Sequence, residues 1–125
     1  MPVQRVVRPD HTFRGFQGQV RAGSLRVGDP IMVLPSHEQA HVKSLLAGDQ
    51  NVDEVVYGQP VTIELDREID ISRGCVIVKD RDLYVSNLLS TTLLWMDDQH
   101  LVAGKNYFLK LGTKLIPATV LNIKY

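Results

Sequence analysis

His37 and His41 stand four residues apart, a spacing that would put two imidazoles on one face of a helix as metal ligands. The residues around them read as a turn followed by a strand, so the helical geometry fails and both are expected as exposed loop histidines. Asp97, Asp98 and His100 carry donors for a hard cation, but in one polar loop after a strand they read as solvated. Cys75, the single cysteine, opens an apolar run and reads as a small buried hydrophobe. Arg73, two residues away, is the neighbouring cation that could favour a reactive thiolate. Lys43-Ser44 lacks the preceding glycines whose amides would cradle a phosphate. Phe13-Arg14-Gly15-Phe16-Gln17-Gly18 has glycines three apart, but it lies in strand-like sequence with no helix following. No G-x-S-x-G nucleophile elbow occurs. The residues therefore nominate no catalytic group, no cofactor-binding group and no metal ligand.

The elements that would position any site are strands. Phe16, Gly18, Val20 and Ala22 alternate with Gln17, Gln19 and Arg21, and Val61, Ile63 and Leu65 alternate with Thr62, Glu64 and Asp66. Ile31–Leu34 and Val76–Val78 are short continuous apolar runs, expected as strands buried on both faces. Leu88–Met96 and Leu115–Tyr125 read as long strands and Tyr107–Leu111 as a shorter one. The one helical expectation is a single turn over Val52–Val56, stopped by Gly58. Ala22-Gly23-Ser24, Val27-Gly28-Asp29-Pro30, Pro35-Ser36-His37-Glu38 and Gly48-Asp49 are turn signals at close spacing, which point to a sandwich or barrel. Closing the sheet would remove the edges a small β domain must otherwise protect. Trp95, the only tryptophan, sits in a Leu-rich stretch and reads as core rather than as a contact residue.

A chain of 125 residues is long enough to bury about two-thirds of its surface without disulfides or metals. At 44% hydrophobic and 22% charged it falls outside the disordered, collagen-like and coiled-coil classes. The 14 basic and 14 acidic residues cancel, which argues against strong non-specific binding to nucleic acid or membrane. One cysteine and no long apolar run fit a reducing, cytoplasmic setting without a membrane span. The charge is nevertheless segregated. Arg5, Arg8, Arg14, Arg21 and Arg26 face only Asp10 in the first 26 residues, while Asp49, Asp53, Glu54, Glu64, Asp66, Glu68 and Asp70 outnumber Arg67 further on. Either two surfaces of opposite sign meet different partners, or the two sets pair with each other across one barrel.

A composition change at Asp80-Arg81-Asp82 suggests two parts, residues 1–82 as a β-barrel and residues 83–125 as an incomplete β domain. Unpaired apolar edges over Leu88–Met96 and Leu115–Tyr125 predict that the isolated chain dimerises or exchanges strands.

One pattern runs through Phe13–Val20, Ala22-Gly23-Ser24-Leu25-Arg26-Val27-Gly28-Asp29, Ile31–Ser36, Val42-Lys43-Ser44, Gly58–Ile63 and Ile71-Ser72-Arg73-Gly74. It resembles domain two of translational GTPases. Further signals are Pro2-Val3-Gln4 with Arg8-Pro9, Val33-Leu34-Pro35-Ser36, Glu68-Ile69-Asp70-Ile71-Ser72-Arg73-Gly74, Leu93-Leu94-Trp95-Met96, Gly104-Lys105-Asn106-Tyr107 and Lys110. With these, the chain looks within that superfamily most like the GTPase (large) subunit of bacterial sulfate adenylyltransferase.

The resemblance implies a mainly β fold, an elongation-factor domain-two-like closed β-barrel followed by an incomplete second barrel. It implies a middle-and-partial-third segment of a longer enzyme that makes adenylylsulfate and pyrophosphate from ATP and sulfate, driven by GTP hydrolysis. GTP and Mg would belong to a preceding GTPase domain and ATP to a catalytic small subunit, with no cofactor in this segment. Both of those domains would be its partners. The alternatives are a translation-factor barrel touching tRNA or ribosomal RNA, and a free-standing β-barrel interaction module.

Overall fold

Strands account for all the regular secondary structure among the described residues of the computed structural model, which are 1–10, 12–79, 83–112 and 114–124. In chain order they are β1 (Val3–Asp10), β2 (Phe13–Gln19), β3 (Ser24–Arg26), β4 (Pro30–Leu34), β5 (Glu38–Ala47), β6 (Gln50–Val52), β7 (Glu54–Val56), β8 (Pro60–Leu65), β9 (Val76–Val78), β10 (Asn106–Leu111) and β11 (Lys114–Thr119). The chain divides into two units, Met1–Val85 and Ser86–Tyr125. The boundary expected at Asp80-Arg81-Asp82 lies outside the described residues.

The first unit is a ring of antiparallel strands in the order β1-β2-β8-β5-β4-β9, with β6 extending the pairing on β5. Its two end strands meet. Pro2 pairs with Val76, the Val3 amide donates to the Cys75 carbonyl (2.8 Å), the Gly74 amide donates to the Val3 carbonyl (3.1 Å), and the Ile77 amide donates to the Met1 carbonyl (2.8 Å). This seam turns the sheet into a closed barrel and leaves neither end strand as a free template for another chain. β3 and β7 form a separate two-stranded ribbon, Leu25 opposite Val55.

Alternation fills the barrel. Along β8, Val61, Ile63 and Leu65 are buried while Thr62 and Glu64 between them are not; on the flanking strands Phe16 and Leu45 face Ile63 in register. The continuous run on β4 is buried on both faces, as its lack of alternation requires. Ile31 and Val33 enter the barrel core, and Met32 and Leu34 join Val78 in a second cluster. Gly28 adopts φ 90°, a left-handed value that a side chain would strain, in the turn between β3 and β4.

Val52–Val56 does not form a helical turn. The segment crosses from β6 to β7, and Val55 is fully buried. The valines are β-branched, and pairing of β7 with β3 gives their backbone a ladder that one isolated helical turn could not match.

The second unit departs further from expectation. β10 and β11 form an in-register hairpin with Leu109 opposite Ile116 and Tyr107 opposite Ala118. Leu88–Met96 is not a strand, because among the described residues no neighbour offers it a ladder. The last strand ends at Thr119 rather than continuing through Tyr125, which is itself outside the described residues. Trp95 is not core: it is 41% exposed, its indole donates to the Gln99 carbonyl (2.6 Å), and its ring meets Tyr107 edge-on at 5.8 Å. No described side chain of this unit is buried, and Leu94, Met96 and Phe108 are each more than three-quarters exposed. The hairpin has a sided pattern, yet none of its described side chains is buried.

Candidate interaction surface

The barrel disperses the residues that might have bound a metal. His37 occupies the β4–β5 turn at a left-handed φ of 65°, whereas His41 lies on β5 with its Nδ1 3.3 Å from Asp66 Oδ2. No cluster of three or more metal-ligating side chains occurs among the described residues. Asp97 accepts the Gln99 amide (3.1 Å) and so organises its own loop. Cys75 is half-buried, with its sulfur 3.9 Å from the Ser72 hydroxyl; its backbone carbonyl belongs to the closing seam. Arg73 donates to the Gln4 carbonyl (3.2 Å), which ties the same seam together from outside.

Most of the acidic stretch is matched within the barrel. Glu54 pairs with Arg26 (3.2 Å), Glu64 with Lys43 (3.1 Å) and Glu68 with Arg8 (3.7 Å). Asp29 binds Lys79 (3.1 Å) and accepts the Arg26 amide, which holds its carboxyl below the usual carboxylate range. The His41 amide does the same for Asp66 (2.8 Å). Asp10 accepts the Thr12 hydroxyl (2.6 Å) and amide (2.7 Å) and the Phe13 amide (3.1 Å), bonds that depress its pKa and fix the tip of the β1–β2 hairpin. Of the two readings of the segregated charge, mutual pairing across one barrel describes these groups. Arg5, Arg14 and Arg21 remain without a carboxylate partner among the described residues.

One of those three marks a site. Arg14 shares the inward face of β2 with Phe16, and its guanidinium lies 5.5 Å above the centre of that buried ring. It therefore stands over one end of the barrel core. Around it opens a cavity of about 180 Å³ whose lining mixes charge and apolar groups: Arg8, Lys43 and Arg67 besides Arg14, the acids Glu64, Asp66 and Glu68, and the buried Phe16, Leu65 and Ile69. Glu64 is the most enclosed of the acids, with its side chain 15% exposed, and it accepts both the Lys43 ammonium (3.1 Å) and the Ser44 hydroxyl (2.8 Å). Among the described residues Arg67 donates only to the Gln39 carbonyl (2.9 Å). Sequence inspection missed this mouth. Its trace is the Arg14–Phe16 pair, a cation two residues from an apolar anchor on the same face, but only the pairing of β2 with β8 brings Glu64–Ile69 alongside.

No family profile matches the chain. It is 47% identical over 126 residues to the bifunctional enzyme CysN/CysC of Xylella fastidiosa, covering 100% of this chain and 20% of that protein. It is 44% identical over 125 residues to sulfate adenylyltransferase subunit 1 of Teredinibacter turnerae, covering 99% of this chain and 27% of that protein. Sulfate adenylyltransferase subunit 1 of Francisella tularensis subsp. novicida matches with the same identity and coverage. The chain thus spans about a fifth to a quarter of the length of these relatives. Among solved structures, the bacterial selenocysteine-specific elongation factor EF-Sec superposes with a TM-score of 0.78 at 22% identity, covering 94% of this chain and 20% of that one. Translation elongation factor SelB of Methanococcus maripaludis gives 0.75 at 20% identity, covering 95% and 27%. The fold is that of translation-factor β-barrel domains.

Proposed function

We propose, from the premise that this chain is similar over its whole length to a segment of sulfate adenylyltransferase subunit 1, that it serves as the barrel segment of such a subunit. The observation that carries the reading is 44–47% identity across 99–100% of the chain. In this role the chain makes and breaks no bonds. A preceding GTPase domain binds GTP and Mg, a separate small subunit joins ATP and sulfate to give adenylylsulfate and pyrophosphate, and the barrel passes the state of the first to the second as a rigid body. A closed ring with a continuous core suits that task, since it moves as a unit instead of deforming. The setting is the cytoplasm.

The test replaces residues 1–82 within the full-length subunit by the corresponding barrel of an elongation factor. GTP-dependent adenylylsulfate synthesis is then measured with the small subunit present. Loss of GTP dependence, with GTP binding retained, is the expected result. Undiminished coupling would remove the barrel from the mechanism. Binding of tRNA by the chain at micromolar concentration, with a steep salt dependence, would instead favour a translation-factor role.

A further inference from the structure

We infer that β10 is the docking edge for a second copy of this chain, the two hairpins joining into one antiparallel sheet about a two-fold axis at Phe108. The hairpin is a sheet of its own, so each of its strands has one side without a partner strand among the described residues. Its inner pairing fixes what the outer sides offer. The Val120 amide donates to the Lys105 carbonyl (3.4 Å), and antiparallel bonds fall on alternate residue pairs. Tyr107–Ala118 and Leu109–Ile116 are therefore the pairs that bond inward. Asn106, Phe108 and Lys110 turn their amides and carbonyls outward from β10, and Leu115, Pro117 and Thr119 do so from β11. Pro117 has no amide hydrogen, which breaks the row on β11 at its centre. The row on β10 is complete.

One usable edge selects the occupant. An edge that pairs with its own copy about a two-fold axis has nothing left to offer, and Pro117 stops growth from the other side, so the assembly closes as a dimer. Centring on Phe108 sets Phe108 against its counterpart and Asn106 against Lys110, which matches every outward group of β10 on both copies. Sliding the register either way leaves an end residue unmatched. The side chains agree with that register. Phe108, 78% exposed, meets the second Phe108 on one face, and Tyr107 meets Leu109 on the other. Lys110 avoids its own copy, and Asn106 Oδ1, which accepts the Thr119 hydroxyl (2.6 Å), has a second lone pair for the Lys110 ammonium. A lone two-stranded hairpin is marginal in water, and the second copy supplies the further strands that a stable sheet needs. The open edges expected from sequence, in Leu88–Met96 and Leu115–Tyr125, give way to β10.

This inference does not rest on the coupling role, since every group it uses belongs to the second unit. The full chain is followed from about 10 µM to 1 mM, the range in which a small interface is populated, by sedimentation velocity and by the solvent-exchange rates of its ¹⁵N-labelled amides. A monomer–dimer equilibrium with a Kd of about 30–300 µM is expected. Over that range the Asn106, Phe108 and Lys110 amides should slow about three- to sixfold by mass action, while Leu115 and Thr119 stay as fast as in the dilute chain. Phe108→Pro removes the central outward amide and spares the inward bonds, as Pro117 does on β11, and should abolish the dimer. Leu115→Pro, on the other edge, should leave it intact. If Phe108→Pro melts the hairpin, seen as lost contacts between Tyr107 and Ala118, the exchange pattern of the parent chain decides alone. A monomer at the highest concentration would overturn the proposal, as would masses that climb past the dimer. So would equal slowing at Leu115 and Phe108, or a dimer that survives Phe108→Pro with the hairpin intact.

Discussion

Closure of the barrel makes Gly18 the most informative position to change. Gly18 lies opposite Val3 on β1 and Val61 on β8. A Cβ at this position would collide with the Pro2 carbonyl and lie 2.9 Å from Met1 Cγ and 3.0 Å from its sulfur. A side chain end can swing away, but a backbone carbonyl held by the seam cannot. Gly18→Ala should therefore push the first residues of the chain off β9. Overpacking of this kind costs about 1–3 kcal/mol. Concentrated at the seam, that cost lowers amide protection there roughly 5- to 150-fold, since about 1.4 kcal/mol is a factor of ten. Native-state hydrogen exchange reads the effect directly at the Val3, Gly74 and Ile77 amides, which donate across the seam. The Leu45 and Ile63 amides, on the β5–β8 ladder, serve as internal controls and should change little. An equal fall at seam and controls would mean the ring opens only by global unfolding. No change at either would refute the close approach itself.

Ile63→Ala removes three carbons from a fully buried position facing Phe16 and Leu45, and should destabilise the barrel by about 3–4 kcal/mol in urea denaturation followed by far-ultraviolet circular dichroism. Trp95 is the wrong probe for that transition, because it belongs to the second unit. Asp29→Asn tests the acid limb. A carboxylate whose folded pKa is depressed stabilises above its unfolded value near 3.9, and that contribution is lost as pH falls through the lower folded value. The variant should melt below the parent at pH 7, and the gap should close below about pH 4; a gap of constant size would remove Asp29 from the acid response. The exposed apolar side chains of the second unit predict self-association, seen as a weight-average mass that rises with concentration in light scattering and falls back in Leu94→Lys with Phe108→Lys. A monomeric mass throughout would show that this surface is covered within the chain.

The strands that alternate were legible residue by residue. Val61, Ile63 and Leu65 on one face of β8, and the unbroken Ile31–Leu34 run buried on both sides of β4, follow from the period of the pleat alone. Where pattern depends on a partner, local reading failed. Val52–Val56 resembled a helical turn until β3 supplied a ladder for β7, and Leu88–Met96 has the composition of a strand but no neighbour among the described residues to make it one. Trp95 looked like core for the same reason: its flanking leucines suggested burial, and burial needs a second surface.

Sequence by itself determined the barrel's wall, its turns, the resemblance that places it among translation-factor barrels, and the two blocks of opposite charge. Tertiary structure alone decided how those charges cancel, because Arg26 with Glu54 and Lys43 with Glu64 are separated by 28 and 21 residues and meet only through strand pairing. It also decided which cations are left without a carboxylate among the described residues. The spacing of Arg14 from Phe16 hints at the pair but not at its surroundings: the sheet seats Arg14 on a buried ring and gives Arg8 a carboxylate. Pleat and turn act between neighbours, whereas charge compensation and cavity shape arise where distant segments are brought within a few ångströms.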